Sequence, residues 1–283
     1  MKSLQGKVVA ITGGGRGIGH SIALACAKEG AKVAVFARSE KELRETVELI
    51  RKETGSEAIY VAGDVSKEAD NARFIEETEK KLGPIYGLIC GAAIYGPIGP
   101  IETNPLNEVR QCLEINILGT VLTIQAALPG MKKRRDGRIV LFSGGGQNAI
   151  PNFTSYVMSK GAIMRLNETL GAELAPHNIW VNAIAPGAVN TQFLEVLLAA
   201  GPDRVGHDLY NKSLQQKQKG GVPPEKAAEL ALYLLSDQSR GLAGKLISAL
   251  WDKYNEFTDF EKMNKSDIFT MKRVVDFEGR TRE

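Results

Sequence analysis

Seven short runs of apolar and β-branched residues recur along the chain, separated by longer stretches whose apolar residues repeat with a helical period. The runs cover residues 7–12, 31–37, 58–62, 85–90, 138–142, 180–184 and 245–249. The intervening amphipathic stretches include 18–29, 40–53, 67–81, 106–132 and 155–175. Brief apolar runs bounded by turn residues read as buried strands, and the longer periodic stretches as helices. Strict alternation of the two leaves few topologies: parallel strands joined by right-handed crossovers, with helices on both faces. At 283 residues the chain is near the upper limit of one hydrophobic core, and no repeat or low-complexity linker divides it. The expected fold is therefore a single doubly wound α/β domain over residues 1–250 with a seven-stranded parallel sheet.

Glycine is enriched, at 30 of 283 residues against a usual share of about 7%, and the excess is clustered. The first strand runs directly into Gly13-Gly14-Gly15-Arg16-Gly17-Ile18-Gly19, and a helical pattern follows at once. A strand, glycine turn and helix in this order lets backbone approach a pyrophosphate while the helix amides and dipole stabilise its charge. Gly13, Gly15, Arg16, Gly17, Ile18 and Gly19 are thus candidate cofactor contacts. An acid at the end of the second strand would mark NAD. This chain has Ala37-Arg38-Ser39 there. A guanidinium beside the adenosine ribose attracts a 2′-phosphate, and Arg16 adds a second positive charge. NADP(H) is favoured over NAD(H); the NAD alternative stays open because Arg38 also reads as a solvated residue at a helix start.

Tyr156 and Lys160 stand four apart at the start of a helical stretch, so their side chains share one face. A nearby ammonium stabilises a phenolate and makes tyrosine a usable proton carrier near neutrality. Together with Thr12-Gly13-x-x-x-Gly17-Ile18-Gly19, this Tyr-x-x-x-Lys pair resembles the classical short-chain dehydrogenase/reductase family, over roughly residues 4–249. The resemblance implies a Rossmann domain and reversible hydride transfer between nicotinamide and a carbonyl or secondary alcohol. It assigns proton exchange to Tyr156, ribose binding and phenol activation to Lys160, and a helix-distorting, water-anchoring role to Asn116. It also implies that Asp64-Val65 meet the adenine, although Asp64 fits a helix N-cap equally well. Ala92, in Cys90-Gly91-Ala92-Ala93, stands where the family usually shows Asn-Asn-Ala-Gly. Pro186, Gly187, Val189 and Thr191 fit the turn that holds the nicotinamide carboxamide. For the hydroxyl that polarises the substrate oxygen, Ser143 has the family's spacing of 13 residues before Tyr156. The strand register instead points to Gly144, in the Gly144-Gly145-Gly146 loop, and the expectation rests on Ser143. Assembly as a homodimer or homotetramer through the helices near 106–132 and 155–175 is implied as well.

Composition removes other classes. A balance of 36 basic and 33 acidic residues, net +3, gives no electrostatic reason for a nucleic-acid partner or an anionic membrane surface. Cys26, Cys90 and Cys112 are an odd number without metal-binding spacing, and His20, His177 and His207 show none either, so no metal is expected. No apolar stretch is expected to approach the about 18 residues of a membrane span, and the start lacks a signal-peptide core. A soluble cytoplasmic enzyme acting on a small carbonyl or alcohol is the expectation. The rival from another class is a catalytically silent cofactor sensor, against which Asn116, Tyr156 and Lys160 argue. Residues 191–222 are expected to form a lid. Residues 251–283, with the spaced apolar side chains Trp251, Tyr254, Phe257, Phe260, Ile268 and Phe269, are expected to pack on the domain or a subunit interface, covering the lid or that interface and helping to shape the substrate pocket.

Overall fold

The computed structural model describes residues 2–144 and 149–271. Its strands are β1 (Val8–Thr12), β2 (Lys32–Ala37), β3 (Ala58–Ala62), β4 (Ile85–Cys90), β5 (Gly137–Phe142), β6 (Ile179–Ala185) and β7 (Leu246–Ser248). The helices are α1 (Gly17–Lys28), α2 (Glu40–Thr54), α3 (Glu68–Leu82), α4 (Leu106–Leu113), α5 (Gly119–Arg134), α6 (Thr154–Leu174), α7 (Gln192–Ala200), α8 (Pro202–Val205), α9 (His207–Lys219), α10 (Pro224–Leu235) and α11 (Phe260–Lys265). The strands form one sheet in the order β3-β2-β1-β4-β5-β6-β7, every pair parallel. The chain winds outward from β1 in one direction and from β4 in the other. The crevice at that reversal, over the carboxyl ends of the strands, is where such sheets bind ligands.

All five residues of β1 are buried because both faces of the sheet are covered. Val9 and Ile11 point into a core shared with Ile22 of α1, Leu43 of α2 and Leu230 of α10. Val8 and Ala10 point into the opposite core, with Phe74 of α3, Ile124 of α5 and Ile163 of α6. The alternation follows from the two-residue period of a strand.

The stretch expected as one helix over 106–132 is interrupted by a π-helical turn, Glu114–Leu118, between α4 and α5. The combined run Leu106–Arg134 includes an 18-residue window of mean hydropathy 1.4, long and apolar enough to cross a bilayer. Here it lies within the domain, with Ile115, Ile124, Ala127 and Met131 buried in the core. The expected lid is helical rather than irregular: α7, α8 and α9 are separated by Gly201 and Gly206, whose positive φ values of 82° and 93° end each helix. A parallel bridge between Val189 and Val222 closes its base.

Beyond β7 the chain packs back onto the domain. Tyr254 is buried, with Phe257, Phe260 and Met263 against the same core. Leu246 N–H donates to Phe269 O at 2.9 Å, so the chain after α11 runs beside the outer edge of β7. The buried Lys245 ammonium donates to Ser266 O at 2.8 Å and Ile268 O at 3.1 Å. Val274, Val275 and the rest of the 251–283 extension past Met271 lie outside the described residues.

Candidate active site

The glycine turn has the conformation its composition implies. Gly13 adopts φ +71°, and a Cβ there would stand 2.9 Å from Gly91 O and Ala92 N. A Cβ on Gly19 would stand 2.2 Å from Gly13 O, so the first turn of α1 packs against the loop only because that side chain is absent. Thr12 Oγ1 accepts from Gly91 N–H at 3.1 Å and Ala92 N–H at 3.3 Å, tying the end of β4 to the end of β1.

These elements floor a groove of about 820 Å³. The candidate cofactor contacts Gly13, Gly15, Arg16, Gly17, Ile18, Gly19, Arg38, Ser39, Asp64, Val65 and Ala92 all line it. Arg38 is exposed on the rim with no hydrogen-bond or ion-pair partner among the described residues. Arg16 is engaged by Glu42 at 3.1 Å. Glu42 was not anticipated as a groove residue, yet the signal is present: Ser39-x-x-Glu42 is the pattern that opens a helix, and Ser39 Oγ accepts from Glu42 N–H at 3.4 Å. Asp64 Oδ1 accepts from Ser66 N–H and Ser66 Oγ–H, both at 2.9 Å, and not from the first turn of α3. The helix-cap alternative for Asp64 is therefore not what the structure shows.

Continuous with this groove is a second cleft of about 670 Å³, lined by Tyr156, Lys160, Gly144, Pro186, Gly187, Val189 and Thr191. Thr191 Oγ1 also caps α7 by accepting from Phe193 N–H at 3.3 Å. Tyr156 and Lys160 share the inner face of α6, with Nζ 5.6 Å from the phenol ring centroid. Lys160 Nζ donates to Phe142 O at 2.9 Å. Burial pushes the Lys160 ammonium down to about 8. Burial, then Tyr95 and Cys112, holds the Tyr156 phenol above its ordinary value. The anticipated lowering of the phenol by the ammonium is thus outweighed in this site by desolvation.

Asn116 sits in the π-helical turn, 2% exposed. Its Oδ1 accepts from Ile94 N–H and its Nδ2 donates to Ile94 O, both at 2.8 Å, and Nδ2 also reaches Ser159 Oγ at 2.9 Å. The distortion of the helix was anticipated. The side chain does not line the cleft; it positions the loop after β4 that carries Tyr95.

Ser143 requires a correction. Its side chain is fully buried, and Oγ donates to Lys160 O at 2.8 Å, so the hydroxyl is spent bracing α6 against β5. Gly144 is the residue that lines the cleft. The physical reason is strand alternation: adjacent residues at the end of β5 face opposite sides.

Several lining residues were not foreseen. Tyr95 packs edge-on against Phe153, Tyr156 and Phe193, with centroids 5.2, 4.8 and 4.6 Å away. No local pattern places Tyr95, Phe153 and Phe193 together, because they meet only through long-range packing. Trp251 and Phe269, two of the spaced apolar residues of the extension beyond β7, also face this cleft, with Asp252 and Thr270 beside them. Among the described residues no three His, Cys, Asp or Glu side chains cluster to hold a metal.

A phosphate-accommodating turn at the sheet's switch point, continuous with a buried Tyr-Lys pair, defines a nucleotide-dependent alcohol or carbonyl oxidoreductase. The short chain dehydrogenase model matches residues 7–200, and the chain belongs to that family, whose members use NAD or NADP. Over 248 residues it is 34% identical to 2-(S)-hydroxypropyl-CoM dehydrogenase 3 of Xanthobacter autotrophicus, covering 85% of this chain and 94% of that one. It is 32% identical over 233 residues to an L-fucose dehydrogenase of Mus musculus, covering 82% and 83%. The solved structure of NAD+-bound xylitol dehydrogenase superposes with a TM-score of 0.81 at 28% identity, covering 87% of this chain and 98% of that one.

Proposed function

We propose that the protein moves a hydride between NADP(H) and a small ketone or secondary alcohol, with Tyr156 as the proton carrier. The observation that carries this is the placement of Tyr156 and Lys160 in the cleft that continues the glycine-floored groove. The groove residues fit a dinucleotide: the Gly13–Gly19 cradle admits a pyrophosphate and the Arg38 rim a 2′-phosphate. When bound, the nicotinamide supplies or accepts the hydride. In reduction Tyr156 gives its phenolic proton to the carbonyl oxygen as that oxygen gains charge, yielding an alcohol; in oxidation it takes the proton back. Lys160 places a positive charge beside the phenolate so formed. Asn116 holds the Ile94 loop and acts by positioning.

The NADP preference rests on the exposed guanidinium of Arg38. The NAD reading draws on Glu42, which lines the same groove and engages Arg16. For assembly, exposed Leu118 and Met158, next to α5 and on α6, support a homodimer or homotetramer through these helices. Three buried free thiols support a cytoplasmic setting.

Replacing Tyr156 with Phe tests the assignment. Turnover should fall by about 100-fold or more while cofactor affinity changes little, because the lost hydroxyl moves a proton and does not hold the nucleotide. A variant that keeps its turnover would overturn it.

A further inference from the structure

The substrate side of the cleft is built for a narrower class than the chemistry requires. Among its described lining residues only Lys160 and Asp252 are charged. Lys160 is held at Phe142 O, and Asp252 Oδ2 accepts from Ser248 N–H at 2.6 Å. Among the described residues no other cation faces this space to meet a phosphate, sulfonate or carboxylate, and Asp252 repels one. Two of the polar side chains, Gln216 and Thr270, are similarly committed. Gln216 Nε2 donates to Ala188 O at 3.0 Å and to Asn190 Oδ1 at 2.8 Å, and Thr270 Oγ1 donates to Asp267 O at 2.6 Å. Among the described lining residues a polyol would find few side-chain partners for its several hydroxyls, chiefly those of Ser213 and Tyr95, and each hydroxyl left unpaired costs its desolvation.

What the walls offer is hydrocarbon. Phe153, Phe193, Leu197 and Leu209 form the inner and lid sides, and the segment after β7 adds Phe269 and Trp251. Trp251 is 84% exposed at the edge of the cleft, leaving indole surface for an apolar molecule to cover. We infer that this cleft selects an uncharged, predominantly hydrocarbon ketone or secondary alcohol, and that Trp251 is a specificity-determining residue supplied from the C-terminal segment. The inference rests on the oxidoreductase reading above for its chemistry. It rests on the lining residues for its selectivity.

The test uses the full chain with NADPH, and in parallel NADH, on three carbonyl probes: 4-methylcyclohexanone, fructose and acetoacetate. The cyclic ketone should exceed both others in kcat/KM by about 100-fold, the scale on which a site rejects ligands whose polar groups it leaves unpaired. Trp251→Ala should raise KM for the cyclic ketone about fivefold or more, as expected for lost apolar contact, with kcat much less affected. Fructose or acetoacetate matching the cyclic ketone, or an unchanged KM in Trp251→Ala, overturns the inference and leaves the hydride-transfer reading standing. Calorimetry on the Tyr156→Phe protein with bound NADPH separates the two readings. Preferential binding of 4-methylcyclohexanone there, without turnover of any probe by the wild type, supports the pocket and defeats the redox reading. No such preference overturns the pocket.

Discussion

The Ser143 hydroxyl donates to the main-chain carbonyl of Lys160 at 2.8 Å, from a side chain with no exposed surface. It therefore stabilises the joint between β5 and α6 and does not reach the substrate. Ser143→Ala should lower stability by about 1 kcal/mol, the net value of one buried hydrogen bond, seen as a melting temperature lower by a few degrees, with kcat within about threefold of wild type. A kcat loss of about 100-fold would show that the hydroxyl does act on the substrate.

Gly144 offers the complementary experiment. Among the described residues a Cβ there would meet only Pro186, at 3.4 Å from its Cδ, which is ordinary contact. Gly144→Ser should fold normally and place a hydroxyl at the cleft, raising kcat/KM for carbonyl reduction by about tenfold, a fraction of the value of one oxyanion donor. Steady-state kinetics of the variant decide it, and an unchanged or lower kcat/KM counts against the geometry.

The proposed roles of Lys160 and Tyr156 imply a pH dependence. With the ammonium pushed down to about 8, Lys160 is charged below that pH and neutral above it. Tyr156, held above its ordinary value, keeps its proton through the same range. Reduction needs a protonated phenol beside a positive charge, so kcat/KM for reduction should fall as pH rises through about 8. A profile that is flat between about pH 6 and 9.5 would exclude Lys160 as the controlling group.

The proposed NADP preference rests on Arg38, exposed at the rim of the groove. Arg38→Asp should weaken NADPH binding by about tenfold or more and strengthen NADH binding, since it replaces a charge attracted to a 2′-phosphate with one that accepts from a ribose hydroxyl. Fluorescence titration of both nucleotides on wild type and variant checks this. Wild type binding NADH as tightly as NADPH would move the preference to Glu42.

Cutting the chain after Leu250 removes the buried Tyr254, the Phe269 carbonyl that pairs with β7, and two carbonyl acceptors of the buried Lys245 ammonium. The loss should be about 3 kcal/mol or more, because a large aromatic and the partners of a buried charge go together. Thermal unfolding reads it. An unaltered melting temperature would show the segment to be a passive appendage.

The elements were legible because their causes are local. All seven strands lie within one or two residues of the apolar runs that announce them, and α1, α2, α3 and α6 follow their own periodicity. The glycine turn was legible for the same reason: Gly19 acts on Gly13 six residues away and Ser39 caps its own helix, although the close approach at Gly13 is to Gly91 and Ala92 of a distant strand end. What the sequence could not decide was direction at a boundary and contact at a distance. Spacing placed Ser143 in the site, but one step along an alternating strand separates facing the cleft from facing α6, and only packing selects between them. The engagement of Arg16 by Glu42 and the ring of Tyr95, Phe153 and Phe193 join residues from separate elements, and the wall of the cleft that Trp251 and Phe269 occupy is likewise set by packing. Such contacts depend on the relative placement of packed elements, which periodicity within any one of them does not encode.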